Sequence, residues 1–338
     1  MRRSTLNKYF MFLMCLLLAA CTGIKYLPSD DKLYTGAEIK LESVNKIDQK
    51  KKRFIKNIAK DAIRPKPNKT YLGMRPKMWM FLKAGADPKT KLNKWLKKTG
   101  EAPVLISSVK PGVTAALIDA KLFNIGIFRG FTEFTIVEKK HTAKAIYTSH
   151  IHEPYTIKEL LYAITDDSLS RLILTEKEKS FIKPGKDYNL DQLKKERIRI
   201  DALLKNQGYF YFSPDFLLFK ADTSTINHTI TLKLTLKDSV PENALTVYRI
   251  NHVFIDQNHS LNAEAAGSRK DTVRFKNVEF LGKESEMDIR PNVILRSVYL
   301  RKNEIYSRKK HNITLNRLMS MGNFKFIQVK FSDSDTTA

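Results

Sequence analysis

Three segments of this chain share one pattern: an amphipathic helix, a glycine, one intervening residue, a phenylalanine and then an alternating apolar stretch. The pairs are Gly126 and Phe128, Gly208 and Phe210, and Gly322 and Phe324. Internal repeats constrain a fold strongly, because each copy has to form the same supersecondary unit. Glycine just past the last helical turn adopts a left-handed backbone at the lowest cost. We expect each phenylalanine to anchor the chain in a core as it turns into a strand.

The sequence around these pairs has the periodicity of helices that alternate with strands. Strands are predicted after each glycine, at Phe131–Val137, Phe210–Phe219 and Phe324–Phe331. The first two repeats read strand, helix, helix, strand, strand, and the third lacks one strand. The sequence therefore predicts an α+β fold of three tandem modules, the last of them incomplete.

A chain of 338 residues is long enough for two or three domains, on a prior of about 100–200 residues each. The predicted divisions are a signal peptide over 1–20, a tether over 21–36, module 1 over 37–150 with a basic insertion over 65–110, module 2 over 151–240 and module 3 over 241–338.

The N-terminal segment has the features of a bacterial lipoprotein signal. Basic residues at positions 2, 3 and 8 precede the apolar stretch Phe10–Leu18, which is too short to span a bilayer as a stable helix. It leads into Ala19-Ala20-Cys21, which matches a lipobox, so we expect acylation of Cys21 after cleavage. A plain signal peptide with an incidental cysteine is the alternative. No acidic residue follows Cys21 closely, which favours a lipid-anchored protein of the outer membrane that faces the periplasm.

Residues 46–110 hold most of the positive charge. The net charge of the chain is +25, and this segment has 19 Lys or Arg residues against 4 Asp or Glu residues. Trp79, Phe81 and Trp95 lie among these bases. Interleaved bases and aromatics suit an anionic lipid surface or single-stranded nucleic acid, and a solvated insertion is the structural alternative. Because a signal peptide takes the protein away from nucleic acid, we expect no nucleic-acid partner and leave lipid contact open.

The sequence has no residue pattern typical of catalysis. It contains no glycine-rich phosphate loop, no nucleophile elbow and no His-Glu-x-x-His motif. His150 and His152 lie on one face of a predicted strand, but without a third ligand they indicate a module junction more than a metal site. Both cysteines lie within the first 21 residues, so the remainder has no thiolate ligand or disulfide. We expect a binding protein with no cofactor, no metal and no enzymatic activity.

Several phrases resemble a known family. KYLPSDDKLYTG after the lipobox, together with the module order and the glycine–phenylalanine junctions, resembles the BamA/TamA-type outer-membrane assembly factors of Bacteroidota, and in particular their lipoprotein variant TamL. LKKERIRIDALLKNQGYFYF and NEIYSRKKHNITLNRLMSMGNFKF resemble the second and the last POTRA units of that family. The resemblance covers nearly all of residues 20–332. It ends there, because no repeated strands of about 9–11 residues follow to form the family's C-terminal β-barrel.

The resemblance implies tandem POTRA domains that form the periplasmic arm of a translocation and assembly factor. Its implied partners are unfolded outer-membrane proteins, a TamB-like or other periplasmic protein, and outer-membrane lipid through acylated Cys21. Binding of clients is expected to occur by addition of a strand to an exposed sheet edge. The alternative is a membrane-surface or scaffold lipoprotein that docks a TamB-like partner without contacting substrate.

Overall fold

The computed structural model describes Leu27, residues 30–257 and residues 271–334. The chain divides into two compact units. Unit 1 comprises Met1–Thr156 and Asp187–Asn189, and unit 2 comprises Ile157–Lys186 and Leu190–Ala338. The predicted signal peptide, Cys21 and most of the predicted tether lie outside the described residues.

The described part of unit 1 contains one three-stranded sheet and four α-helices. In chain order these are β1 (Leu33–Ser43), α1 (Gln49–Lys60), α2 (Pro76–Lys83), α3 (Lys91–Thr99), α4 (Pro111–Phe123), β2 (Phe131–Glu138) and β3 (Thr142–Ile151). The last strand occupies the middle of the sheet: β3 runs parallel to β1 and antiparallel to β2. Apolar side chains of β1, β3, α1 and α4 form the core, among them Ile39, Ile55, Ile118, Leu122 and Tyr147.

The first strand begins earlier than the sequence predicted. The predicted tether extended to Gly36, whereas β1 already starts at Leu33, which pairs with Thr142. Leu33 and Tyr34 are fully buried, and the register shifts between Tyr34 and Ala37. The sequence pattern missed this strand start because a bulge at Gly36 interrupts the alternation by which a strand is recognised.

Unit 2 contains two further sheets. The first follows the order of unit 1, with β4 (Thr156–Tyr162), α5 (Asp167–Thr175), α6 (Leu190–Asn206), β5 (Leu217–Ser224) and β6 (Thr229–Leu236). Here too the last strand is central, since the sheet order is β4-β6-β5. Its core joins Leu169 and Ile173 of α5 to Ile200 and Leu204 of α6 and Leu234 of β6.

The second sheet of unit 2 is built differently. Three short strands, β7 (Phe254–Ile255), β8 (Thr272–Phe275) and β9 (Val278–Leu281), precede the helices α7 (Pro291–Leu295) and α8 (Arg308–Ser320). They pair in the order β7-β9-β8, with β7 parallel to β9. Val278, Phe280 and Ile294 form a small core. The α+β fold class is confirmed, with complete strand, helix, helix, strand, strand modules in the first two positions and an incomplete third.

Two of the three predicted post-glycine strands need correction. Phe210–Phe216 forms turns and a 3₁₀ helix, so that β5 starts only at Leu217. Residues 324–331 form no strand. In the complete modules the corresponding strands β2 and β5 pair only with the central strand that follows them. The described residues after Phe331 form no such strand, so residues 324–331, the start of the C-terminal tail, have no central strand to pair with.

None of the helices in the described ranges is long and apolar enough to cross a membrane.

Candidate binding surfaces: sheet edges and glycine junctions

Strand β2 has a free edge in unit 1. Among the strands that the structure describes, it pairs with β3 alone. Antiparallel partners exchange hydrogen bonds at every second residue, and the Lys139 N–H donates to the Thr142 carbonyl just beyond the strand ends. Continuing this alternation through the register, the backbone groups of Phe131, Glu133, Thr135 and Val137 face β3. Those of Thr132, Phe134, Ile136 and Glu138 point away from the sheet.

The side chains of β2 leave this edge accessible. Phe131 is 53 % exposed, Phe134 is 45 % exposed and Val137 is 40 % exposed. Native proteins usually protect edge strands with charges, bulges or prolines. β2 has the exposed charges of Glu133 and Glu138, but an eight-residue edge with three exposed apolar side chains is still a surface on which another extended chain can add.

Strand β5 presents the equivalent edge in unit 2. The Lys237 N–H donates to the Phe216 carbonyl at 2.9 Å, which fixes the alternation along the β5–β6 register. Leu218, Lys220 and Asp222 therefore direct their backbone groups at β6, whereas Phe219 and Ala221 direct theirs outwards. Leu218 is the one large apolar side chain of β5 that is exposed, against three on β2, so this edge offers less apolar contact.

The first glycine junction lies within unit 1. Gly126 has a φ of +88°, and its carbonyl accepts a hydrogen bond of 3.0 Å from the Tyr155 N–H. The Tyr155 carbonyl in turn accepts from the Tyr188 N–H at 2.8 Å. The Phe128 ring packs on both tyrosine rings, with centroid distances of 5.0 and 5.1 Å. We name Gly126, Phe128, Tyr155 and Tyr188 junction 1.

The second glycine junction, within unit 2, repeats this geometry. Gly208 has a φ of +99°, and its carbonyl accepts from the Tyr248 N–H at 2.9 Å. The Tyr248 carbonyl accepts from the Tyr306 N–H at 3.0 Å. The Phe210 ring lies 4.8 Å from that of Tyr306 and 6.5 Å from that of Tyr248. We name Gly208, Phe210, Tyr248 and Tyr306 junction 2.

Space around the two junction glycines is limited. A Cβ added to Gly126 would lie 3.1 Å from Tyr188 Cβ, and one added to Gly208 would lie 2.6 Å from Val247 Cγ1. Gly322 shares the positive φ, at +70°, but a Cβ there would meet nothing within 4 Å. The third glycine thus keeps the backbone conformation of the other two without their close neighbours.

The phenylalanines do not act quite as expected. In both junctions the residue directly after the glycine is the buried one: Ile127 and Tyr209 are each 2 % exposed. Phe128 and Phe210 are half-buried and pack on the tyrosine rings instead. In the third copy this position is the exposed Asn323, and Phe324 packs against the small core of β9 and α7.

A buried ion pair reinforces junction 2. Asp201 of α6 is 3 % exposed, and its carboxylate accepts from Arg308 Nη1 at 2.7 Å and pairs with Lys205 Nζ at 3.1 Å. The Asn206 side-chain carbonyl accepts from the Lys309 N–H at 2.8 Å. Two polar groups of α6 therefore fix the first turn of α8, directly after Tyr306.

The C-terminal tail packs on junction 2. The Phe331 ring lies 5.1 Å from Phe210, 5.3 Å from Tyr306 and 5.2 Å from His311. Burial raises the pKa of the Tyr306 phenol, as it does for Tyr188 in junction 1, so both phenols stay protonated near neutral pH.

The three aromatics of the basic insertion differ in their surroundings. Lys83 Nζ lies 4.6 Å above the half-buried Trp79 ring, and Lys97 Nζ lies 5.3 Å above the half-buried Phe81 ring. Trp95 is 56 % exposed.

The histidines considered as metal ligands have other contacts. His150 stacks on Phe131 with 4.7 Å between ring centroids, and its Nδ1 lies 3.4 Å from a Glu42 carboxylate oxygen. Within the described ranges, no group of three or more His, Cys, Asp or Glu side chains could hold a metal ion.

Sequence reasoning missed the four junction tyrosines. Two of them could have been found from their position, because Tyr188 and Tyr306 each lie two residues before the start of a module's second helix. Each also follows by three positions a residue with positive φ, Gly185 or Asn303. That spacing marks a tight turn before the helix, and it can be found by aligning the modules on their second helices.

Comparisons with known proteins find structural similarity only. No family model and no curated protein sequence matches this chain. Among solved structures, the Haemophilus influenzae BamA POTRA3-5 structure aligns with 92 % of this chain and 95 % of its own at 9 % identity and a TM-score of 0.40. POTRA1-3 of the periplasmic domain of Omp85 from Anabaena aligns with 91 % and 92 % at 11 % identity and a TM-score of 0.30. Both TM-scores are below 0.5.

The fold of the first two modules has the element order that the resemblance to POTRA units implied. Its defining features here are the strand, helix, helix, strand, strand order and the central position of the last strand in the first two sheets.

Proposed function

We propose that this chain is the periplasmic arm of an outer-membrane protein assembly factor of the BamA/TamA type, and that it binds extended segments of unfolded outer-membrane proteins. One observation carries the proposal. In both complete modules the last strand is central, so that β2 and β5 each keep one side unpaired. Each module therefore offers an edge to which a client strand can add.

Edge addition suits clients of varied sequence. The hydrogen bonds come from main-chain groups, which every client has, whereas side-chain contacts adjust the affinity. On β2 the outward groups of Thr132, Phe134 and Ile136 would supply the hydrogen bonds. The exposed rings of Phe131 and Phe134 would supply apolar contact. We expect the β2 edge to bind more strongly than the β5 edge, because β2 has three exposed large apolar side chains and β5 has one, Leu218.

The finer parts of the proposal concern location and partners. A TamL-like lipoprotein would be held in the outer membrane by acylated Cys21 and would face the periplasm, as the lipobox sequence indicates. A TamB-like periplasmic protein is the partner of the alternative proposal, in which the arm docks a second component and does not contact clients.

A pair of substitutions at one position tests edge addition on β2. Phe134→Pro removes an outward N–H and leaves the β2–β3 ladder intact, whereas Phe134→Ala removes the same ring and keeps the N–H. Binding of a labelled, unfolded outer-membrane protein segment should fall about tenfold further in Phe134→Pro than in Phe134→Ala, because a hydrogen bond contributes roughly 0.5–1.5 kcal/mol and the proline ring also blocks close approach.

The edge of β5 provides the matched control. Ala221→Pro removes an outward N–H, and Lys220→Pro removes an N–H that faces β6. Only Lys220→Pro should change the far-UV circular dichroism and lower the stability. Equal binding by Phe134→Pro and Phe134→Ala would contradict edge addition. Capture of a stoichiometric periplasmic partner by both variants, without clients, would favour the docking alternative.

A further inference from the structure

The basic insertion contains a compact helical hairpin. Helices α2 and α3 pack against each other, and the close approach of Gly100 to α2 completes the hairpin, because a Cβ at Gly100 would lie 2.6 Å from the Phe81 backbone nitrogen. The Glu101 N–H donates to the Lys77 carbonyl at 3.0 Å. We name residues 76–99 the basic hairpin. It contains seven lysines and a single acidic residue, Asp87.

Two of the three aromatic residues of the hairpin have contacts within it. Trp79 and Phe81 each lie under a lysine of the hairpin itself. Lys97 also donates from Nζ to the carbonyl oxygens of Gly85 and Ala86, at 2.9 and 2.5 Å. The Lys97 contacts fix α2, the connecting loop and α3 relative to one another, so Phe81 is a structural part of the hairpin. The half-buried Trp79 ring is covered by Lys83 of its own helix.

The outer side of α3 has no such internal role. Asn93, Leu96 and Lys97 are half-buried, and the other residues of the helix are exposed. Leu92 and Trp95, spaced three residues apart, are 63 % and 56 % exposed. With 3.6 residues per turn they share one stripe along the helix.

Three lysines form a second stripe beside the first. Lys91, Lys94 and Lys98 follow the same helical spacing and are exposed. None of them forms an ion pair with a described acidic residue. The outer face of α3 therefore places a row of uncompensated ammonium groups next to a row of large apolar side chains.

We propose that this face of α3 binds an anionic lipid surface, with the three lysines on headgroup phosphates and with Leu92 and Trp95 inserted at the level of the headgroups. Charge complementarity selects this occupant. An exposed apolar row alone would suit many partners, whereas lysines that flank tryptophan match the layered chemistry of a membrane interface. The proposal is independent of client binding at the sheet edges.

The tryptophan content allows a direct test, because Trp79 and Trp95 are the two tryptophans of the chain. Full-length Trp79→Phe reports on Trp95 alone, and full-length Trp95→Phe reports on Trp79 alone. Both variants are mixed with vesicles that contain either 30 % phosphatidylglycerol or phosphatidylcholine only. With the anionic vesicles, Trp95 fluorescence should shift to shorter wavelength and be quenched by brominated lipid. Trp79 fluorescence should change little.

A charge series completes the experiment. Replacing Lys91, Lys94 and Lys98 together by Gln should weaken binding to anionic vesicles on the order of 100-fold, since each lysine near such a surface contributes roughly fivefold. Replacing the exposed Lys220, Lys233 and Lys237 of the β5–β6 hairpin by Gln removes the same charge and should leave binding unchanged. All variants retain residues 1–20, so any contribution of that segment is common to them.

Three results would overturn the proposal. The first is an equal response of Trp79 and Trp95 to anionic vesicles, and the second is an equal loss of binding in the two lysine series. The third is binding to polyglutamate or to a DNA oligonucleotide that competes fully with vesicles while Trp95 fluorescence stays at long wavelength. That outcome would indicate an acidic macromolecule as the occupant.

Discussion

Gly208 and Gly322, the two repeat glycines in unit 2, differ in their surroundings, so we expect different responses to the same substitution. Gly322→Ala introduces a side chain at a φ of +70° with nothing within 4 Å. A left-handed conformation costs about 1–2 kcal/mol for a residue with a Cβ. Gly208→Ala adds contacts of 2.6 Å to Val247 Cγ1 and 2.8 Å to Ile305 Cγ2. Overpacking of this kind costs about 1–3 kcal/mol more.

We therefore expect Gly208→Ala to lower the free energy of unfolding by about 2–5 kcal/mol, against about 1–2 kcal/mol for Gly322→Ala. Urea unfolding followed by far-UV circular dichroism measures both, with thermal unfolding as the second assay. In a unit of this size each kcal/mol shifts the midpoint by roughly 2–4 °C.

A double variant separates the two contributions. Val247→Ala in the Gly208→Ala background removes the atom that the new Cβ meets first, so it should restore part of the lost stability. Equal destabilisation of the two single variants would contradict this prediction, because then backbone conformation alone would decide the effect. A further loss of stability on adding Val247→Ala would contradict it as well.

Three further predictions concern the surroundings of junction 2. Asp201→Asn should lower the free energy of unfolding by about 1.5–3 kcal/mol, because it weakens a charged hydrogen bond to Arg308; the double variant with Arg308→Gln should lose less than the sum of the single losses, as measured by urea unfolding. Phe331→Ala should speed tryptic cleavage of the tail, whereas Phe326→Ala should not, since Phe326 is 60 % exposed; equal cleavage rates would show that the ring contacts do not hold the tail. Burial lowers the pKa of His311 from its ordinary value of 6.5, so the unfolded chain binds that proton first and stability falls as the pH drops below about 6.5; His311→Gln should reduce this dependence between pH 7.5 and 5.5.

The repeated pattern predicted the fold well where local and long-range preferences agree. Helix periodicity and the glycines at 126, 208 and 322 located the helix ends, because left-handed glycine is a local property of the chain. Phe128 and Phe210 were expected to be the buried anchors, but the buried residues are Ile127 and Tyr209. A ring at the next position looks like the better core anchor, but the direction of a side chain after a turn depends on partners that arrive from far along the sequence.

Strand prediction failed where pairing decides. Residues 324–331 alternate like a strand, yet strand formation requires a neighbour with free backbone groups, which the described chain does not place there. The junction tyrosines were missed for the same reason. Tyr155 and Tyr188 meet only because a backbone hydrogen bond joins two segments on either side of β4 and α5, and no periodicity within one segment encodes that meeting.

The central position of β3 also affects the order in which unit 1 can assemble during synthesis, when the N-terminal residues emerge first. The β2–β3 hairpin is local and can zip up early, but β1 has to wait for β3: the Thr35 hydroxyl donates to the Ala143 carbonyl across 108 residues of sequence. Long-range closure of this kind is slow. The first of these three strands to emerge is thus the last to be paired, and during that interval both edges of β1 are accessible to a chaperone.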